Sequence, residues 1–375
     1  MKQYIYADNA ATTQLDPEAF EAMIPWLRDE YGNASQPYSF SRKPKKAIAD
    51  ARAVIAECIN AEPEEIYFTS GGTESDNWAV KGSALSDPDH HAMITSQIEH
   101  HAVLHSCAAI ERIGYPVAYL PATEDGIILT ESLDRYISDR TRLVSIMTAN
   151  NEIGTIQDIA GLADIAHAHG SMFHTDAVQA VGHIPIDVKA LDVDMLSASA
   201  HKFNGPRGIG FLYIRKGIKV RPFMDGGGQE NENRAGTENT AAIVGMSIAL
   251  INNTKNMRSN SDSIRSLEDL LIKKLLEAGL VFKRNGTNAL PGLISLSFQN
   301  SSGEMLLHRM DLKGICISTG SACNGSSDEI SHVLQAIHLP DEYAKGTVRI
   351  SLGKHNTESD IIKIAESLKQ IITSK

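Results

Sequence analysis

Short apolar runs recur along the chain, each ending in small or polar residues and each followed by an amphipathic helical stretch. Parallel strands need helical crossovers, so this alternation predicts a mainly parallel α/β sheet wrapped by helices. The runs fall at residues 65–69, 92–95, 143–147, 172–175 and 195–199, with 208–214 as a returning partner and a short strand at 4–7. Helices are expected at 16–30, where Asp16 caps and Pro17 opens the first turn, at 45–60, and from Thr73 onward. From about 241 to 279 the pattern is long-helical, and its polar stretch at 252–262 is expected to break the helix at a domain boundary. Beyond it, strands at 293–298 and 315–318 with helices at 331–337 and 358–373 predict a smaller α+β domain.

The 375 residues suit one large and one smaller domain at roughly 150 residues each. Hydrophobic residues at 42% and charged residues at 22% exclude a disordered or low-complexity chain. A net charge of -11 without a basic cluster argues against direct binding of nucleic acid. No apolar run is long enough to span a membrane, and the N-terminus lacks a signal-peptide pattern. Cys58, Cys107, Cys316 and Cys323 form no Cys-x-x-Cys pair, so neither a disulfide framework nor a metal site is expected, and a cytoplasmic location follows. Cys58, Cys107 and Cys316 are expected in apolar packing.

Ligands of open α/β sheets bind beyond the carboxyl ends of the strands, and polar residues gather there. Ser70-Gly71-Gly72-Thr73-Glu74-Ser75 offers glycines and then amides and hydroxyls at a helix start, which suits a phosphate; an ordinary capped helix is the plain alternative. Asp176 ends one apolar strand, either as a helix cap or as a functional carboxylate. Lys202 follows Ser-Ala-Ser-Ala-His at the end of the next, either as a surface lysine in a loop or as an amine whose desolvation favours attack on carbonyls. Together with His100, these groups form the inventory needed to hold pyridoxal phosphate.

In order along the chain, Asp8-Asn9-Ala10-Ala11-Thr12-Thr13, Thr69-Ser-Gly-Gly-Thr-Glu-Ser-Asp-Asn77, Glu99-His100-His-Ala-Val-Leu104, Asn150-Asn-Glu-Ile-Gly154, His174-Thr-Asp-Ala-Val-Gln179, Ser199-Ala-His-Lys202, Arg234-Ala-Gly-Thr237, Ser318-Thr-Gly-Ser-Ala-Cys323 and Val348-Arg-Ile-Ser-Leu-Gly353 resemble segments of the NifS/IscS-type cysteine desulfurases. These are class-V aminotransferase-fold enzymes dependent on pyridoxal 5'-phosphate. The resemblance implies a fold type I transferase: a large domain at 13–255 with a mainly parallel seven-stranded sheet between helices, and a small α+β domain made of 1–12 and 256–375. It implies that Lys202 holds the cofactor and shuttles protons, that Asp176 pairs with the pyridine nitrogen, that His100 stacks on the ring as an acid/base group, and that Gln179 bonds the phenolic oxygen. Gly72, Thr73, Ser199 and His201 would take the phosphate, joined by Thr237 from the other subunit of a homodimer. Asn151, which also meets the cofactor, Arg349 and Asn33 would receive the substrate.

Cys323 separates this reading from other uses of the fold. The resemblance implies that its thiolate takes sulfur from L-cysteine, leaving L-alanine, and passes the persulfide to an acceptor protein for iron-sulfur cluster assembly or tRNA thiolation. The sequence departs from the family in Ala34-Ser-Gln-Pro37-Tyr38, in Asn324-Gly325 and Ile330 after Cys323, and in an end soon after the last helix. These departures suit a specialised acceptor. A selenocysteine lyase, an aminotransferase, a β-eliminating enzyme and a non-catalytic scaffold remain as alternatives.

Overall fold

A computed structural model describes residues 4–89, 91–319 and 330–374. In chain order its strands are β1 (Ile5–Tyr6), β2 (Ile66–Thr69), β3 (Ala92–Ser96), β4 (Val117–Leu120), β5 (Thr141–Ser145), β6 (Met172–Asp176), β7 (Met195–Ser199), β8 (Gly210–Ile214), β9 (Lys283–Asn285), β10 (Leu293–Ser297), β11 (Ile315–Cys316) and β12 (Thr347–Ser351). Seven of them form the main sheet in the order β2-β8-β7-β6-β5-β3-β4. Only β8 runs against its neighbours.

Every residue of β6 and β7 is buried, because helices cover both faces of the sheet. Polar side chains inside such strands must find partners within the protein. His174 on β6 does so between Ser145 Oγ of β5 at 2.8 Å and Ser197 Oγ of β7 at 2.9 Å. The first helix, Pro17–Arg28, starts as its sequence predicts: Asp16 accepts from the amides of Glu18 and Ala19 at 3.0 and 3.3 Å.

The long helix differs from expectation. It runs unbroken over Thr240–Glu277, about 57 Å at 1.5 Å per residue, straight through the polar stretch. No glycine or proline lies between Met246 and Glu277. Polar residues alone cost a helix only tenths of a kcal/mol each, and here they find partners: Asn253 Nδ2 donates to the Phe203 carbonyl at 2.6 Å, and Asn256 Nδ2 to that of Asn252 at 2.9 Å. The polar stretch bridges two cores. Ala242, Met246 and Leu250 pack in the core around the large sheet, whereas Ile264, Leu271 and Leu275 pack in a second core with Ile5, Ala7 and Ile350. That second core carries the antiparallel sheet β12-β10-β9 and the parallel pair β1-β11. Cys107 is buried as expected, while Cys58 and Cys316 are half-buried. Among the described residues, no helix is long and apolar enough to cross a membrane.

Gly210 opposes both Ser199 of β7 and Thr69 of β2. An added Cβ there would overlap the Ala198 carbonyl oxygen and the Gly71 backbone, neither of which can move aside cheaply. Gly210→Ala is expected to lower the urea-unfolding free energy by about 1–3 kcal/mol.

Candidate active site

The carboxyl ends of β2, β3, β5, β6 and β7 open into one cavity of about 660 Å³. Gly72 and Thr73 sit at its edge, where the helix Gly72–Leu85 begins. Gly71 precedes them at φ 146°, a conformation L side chains rarely adopt, and Ser199 Oγ lies 3.4 Å from where a Cβ would stand. The first helical amides therefore lie open beside a hydroxyl, a ready site for a phosphate. His201 and Arg207 line the same side.

Asp176 lies at the base of the cavity. Its Oδ1 accepts the Val178 N–H at 2.9 Å. Burial raises the carboxyl's pKa, opposed by that hydrogen bond and by the positive charge of Lys202. Asp76, fully buried beside it, is raised well above the ordinary range by burial and then by the charge on Asp176. Asp76 Oδ1 has no hydrogen-bond partner among the described residues. A cation at the base, such as a protonated ring nitrogen, would relieve both groups.

Lys202 Nζ donates to the carbonyls of Ala10 at 2.6 Å and Ala11 at 3.0 Å. Gln179 Nε2 donates to the same Ala10 carbonyl at 3.0 Å, so the N-terminal segment closes over the lysine. His100 Nδ1 accepts the Ala102 N–H at 3.1 Å, capping the next helix. Burial, reinforced by Lys202, pushes its pKa down to about 4, so the imidazole is neutral at pH 7 and carries its proton on Nε2. His201 is likewise pushed down to about 4 by burial.

Arg349 reaches the cavity from β12 in the second core's sheet. Its Nη2 pairs with Asp8 Oδ1 at 2.9 Å and its Nη1 donates to the Asn151 carbonyl at 2.8 Å. Its Nε is buried without a partner among the described residues, a donor set suited to a carboxylate ligand.

Two expected residues stand apart. Asn33 is outside the cavity lining, its Oδ1 accepting from the Ser35 amide at 2.9 Å. Thr237 is exposed and lines a separate cavity of about 180 Å³ with Ser70 and Gly208. Cys323 lies outside the described residues; before it, Ser318 and Thr319 line the main cavity.

The chain matches the aminotransferase class-V family over residues 5–364. It is 47% identical over 370 residues to a cysteine desulfurase IscS of Methanosarcina thermophila, covering 98% of this chain and 92% of that one. The solved structure of a NifS-like protein superposes with a TM-score of 0.93 at 35% identity, covering 99% of this chain and all of the other. SspA, solved in complex with cysteine, matches at 0.84 with 37% identity over 94% of this chain and 100% of its own. The chain belongs to the cysteine desulfurases of the class-V aminotransferase family. The mostly parallel seven-stranded main sheet is that of the fold type I class.

Several residues of this desulfurase site carry no role in the sequence reading. Asp8, Asp76, Glu152 and Arg207 all line the cavity, and each lies inside or beside a segment that the sequence shows as polar. What hides them is that their partners lie far away in the chain: Asp8 meets Arg349, and Glu152 meets Ser331. Glu99, just behind His100, is fully buried. Its Oε1 accepts from Ser96 Oγ at 2.6 Å and the Met147 amide at 3.1 Å, yet burial pushes its pKa up to about 8. Glu152 is pushed up to about 7 by burial.

A carboxyl raised on folding holds a proton that the unfolded chain releases, so its contribution is present at low pH and lost as pH climbs to the folded value. The depressed histidines act oppositely, but their contribution is complete near pH 6.5, the ordinary imidazole value. Between about pH 6.5 and 8 the cofactor-free protein is therefore expected to lose stability as pH rises. Glu99→Gln should flatten that decline, measured by urea unfolding; a slope unchanged from wild type refutes the assignment.

Proposed function

We propose that this protein removes sulfur from L-cysteine, giving L-alanine and a persulfide on Cys323 that passes to a sulfur-acceptor protein. The observation that carries the reading is one cavity that joins Lys202 and Asp176 on adjacent strand ends to Arg349 from the opposite core. Pyridoxal 5'-phosphate fits this cavity: the amides after Gly71 with Ser199 and His201 suit its phosphate, and the buried carboxyl of Asp176 suits its ring nitrogen. When bound, it supplies an aldehyde for the substrate amine and a ring that draws electrons from the substrate's α carbon.

The chain's own residues then divide the work. Lys202, released from the Ala10 and Ala11 carbonyls, holds the aldehyde and afterwards moves the α proton. Asp176 keeps the ring nitrogen protonated. Gln179, now on the Ala10 carbonyl, would donate to the cofactor's phenolic oxygen, and the neutral imidazole of His100 would stack on its ring. Arg349 and Asn151 take the substrate carboxylate, and Arg349's planar fork is something a lysine could not reproduce. Thr237 reaches the phosphate of a second copy in a homodimer, and Asn33 joins the substrate pocket. As the Cys323 thiolate forms its bond to the substrate sulfur, the carbon–sulfur bond breaks, and the electron pair left on carbon is protonated to give alanine.

A division into 13–255 and 1–12 with 256–375 follows the two hydrophobic cores for most of the chain, but Val333, Leu334, Ile337 and Ala344 pack in the first core. An iron-sulfur scaffold or a tRNA-thiolation enzyme is the acceptor class, and the cytoplasm is the compartment.

Purified, cofactor-loaded protein incubated with L-cysteine should release alanine and become labelled at Cys323 by a persulfide-selective reagent. Pyruvate in place of alanine overturns the reading. Cys323→Ala should keep the cofactor absorbance yet form no persulfide, and Lys202→Ala should lose the lysine-bound absorbance together with turnover. Arg349→Lys should raise the KM for L-cysteine by roughly tenfold or more, the scale of a lost charge-assisted hydrogen bond.

A further inference from the structure

Glu152 is a cavity carboxyl to which the desulfurase chemistry above gives no task. It follows Asn151, and an Asx turn sets its direction: Asn150 Oδ1 accepts the amides of Glu152 at 2.8 Å and Ile153 at 3.0 Å. Its buried Oε2 accepts from Ser331 Oγ at 2.6 Å, a short bond. The same Ser331 oxygen accepts the Val333 amide at 3.1 Å and so caps the helix His332–Ala336. The adjacent residue is tied down too, with His332 Nε2 lying 2.9 Å from the Glu99 carbonyl.

Position in the chain gives these bonds meaning. Ser331 comes eight residues after Cys323. Glu152 and Glu99 are the immediate neighbours of Asn151 and His100, both of which line the cavity. At the other end, Ser318 pairs backbone to backbone with Arg349, at 3.0 and 2.7 Å. The chain on both sides of the cysteine is thus fastened to the residues that meet substrate and cofactor.

We propose that Glu152 is a positioning residue for sulfur transfer: by accepting from Ser331, it fastens the chain that follows Cys323 to the cavity wall that carries Asn151. This rests on the desulfurase reading. Glu152 touches no reacting atom in this role. Removing either partner leaves the other buried with an unmet hydrogen bond, which loosens the fastening; because Glu152 also attracts Arg349, Ser331→Ala is the variant that leaves the charges around the substrate fork unchanged.

The test is single-turnover mixing of holoenzyme with L-cysteine, following alanine, the Cys323 persulfide and the cofactor absorbance. The proteins compared are wild type, Ser331→Ala, Glu152→Ala, Glu152→Gln and the double alanine variant. Ser331→Ala and Glu152→Ala are each expected to slow persulfide formation about tenfold, the scale of a lost buried hydrogen bond. In Ser331→Ala the dissociation constant for L-cysteine, read from the absorbance change, should stay within about twofold of wild type. Glu152→Gln keeps the acceptor oxygen and should retain most of the rate. The double variant should be no slower than the slower single one, because both act on one bond. Wild-type rates in both single variants overturn the inference, as do losses that multiply in the double variant or that track weaker cysteine binding. If wild type itself releases no alanine, the desulfurase reading falls and this inference with it; active wild type with unaffected variants removes only the inference.

Discussion

Asp176 ends a strand covered on both faces, where almost no water is left to stabilise a carboxylate. The rest of the site answers that constraint. The Val178 amide and the Lys202 charge pull its pKa back down, while Asp76 and Glu99, buried nearby, are held toward their neutral forms. The underlying cause is the parallel sheet itself. Its strands are largely apolar, so most ionisable groups collect at their carboxyl ends, close together and poorly solvated. Perturbed titration is the physical signature of such a place.

The second constraint is assembly across two cores. The segment from Asp8 to Thr13 leaves β1, in the second core, and crosses to the large sheet. There it supplies the carbonyls of Ala10 and Ala11 to Lys202 and binds His201 through Thr13, whose amide and hydroxyl both reach the His201 carbonyl. Arg349 crosses in the opposite sense, from β12 to the Asn151 carbonyl. The cavity is therefore closed by contacts that neither core makes alone, and its shape depends on how the two sit together.

Much of this was legible in the sequence. The strands β3, β6 and β7 and the helix Glu358–Thr373 follow from apolar runs and caps within a residue, because local pattern and tertiary burial agree there. Lys202, Asp176, His100 and Arg349 stand out because each sits in a distinctive local motif, and all four line one cavity. The break expected at 252–262 failed for a plain reason. Polarity alone does not end a helix; glycine or proline does, and neither lies between Met246 and Glu277. Glu152 and Asp8 were hidden by distance, since nothing local marks a residue whose partner lies more than a hundred positions away.

That unbroken helix makes the two cores a matter of angular phase. Each residue turns an α-helix by about 100° and advances it about 1.5 Å. One residue inserted or deleted between Leu250 and Ile264 would turn everything beyond it by rather more than a right angle. Arg349 would then swing away from Asn151 although every residue in both cores was intact. Length in this stretch is thus under tighter restraint than composition: apart from the buried Asn253, its side chains are exposed or half-buried and can vary, but their number sets the bearing of one half of the molecule on the other.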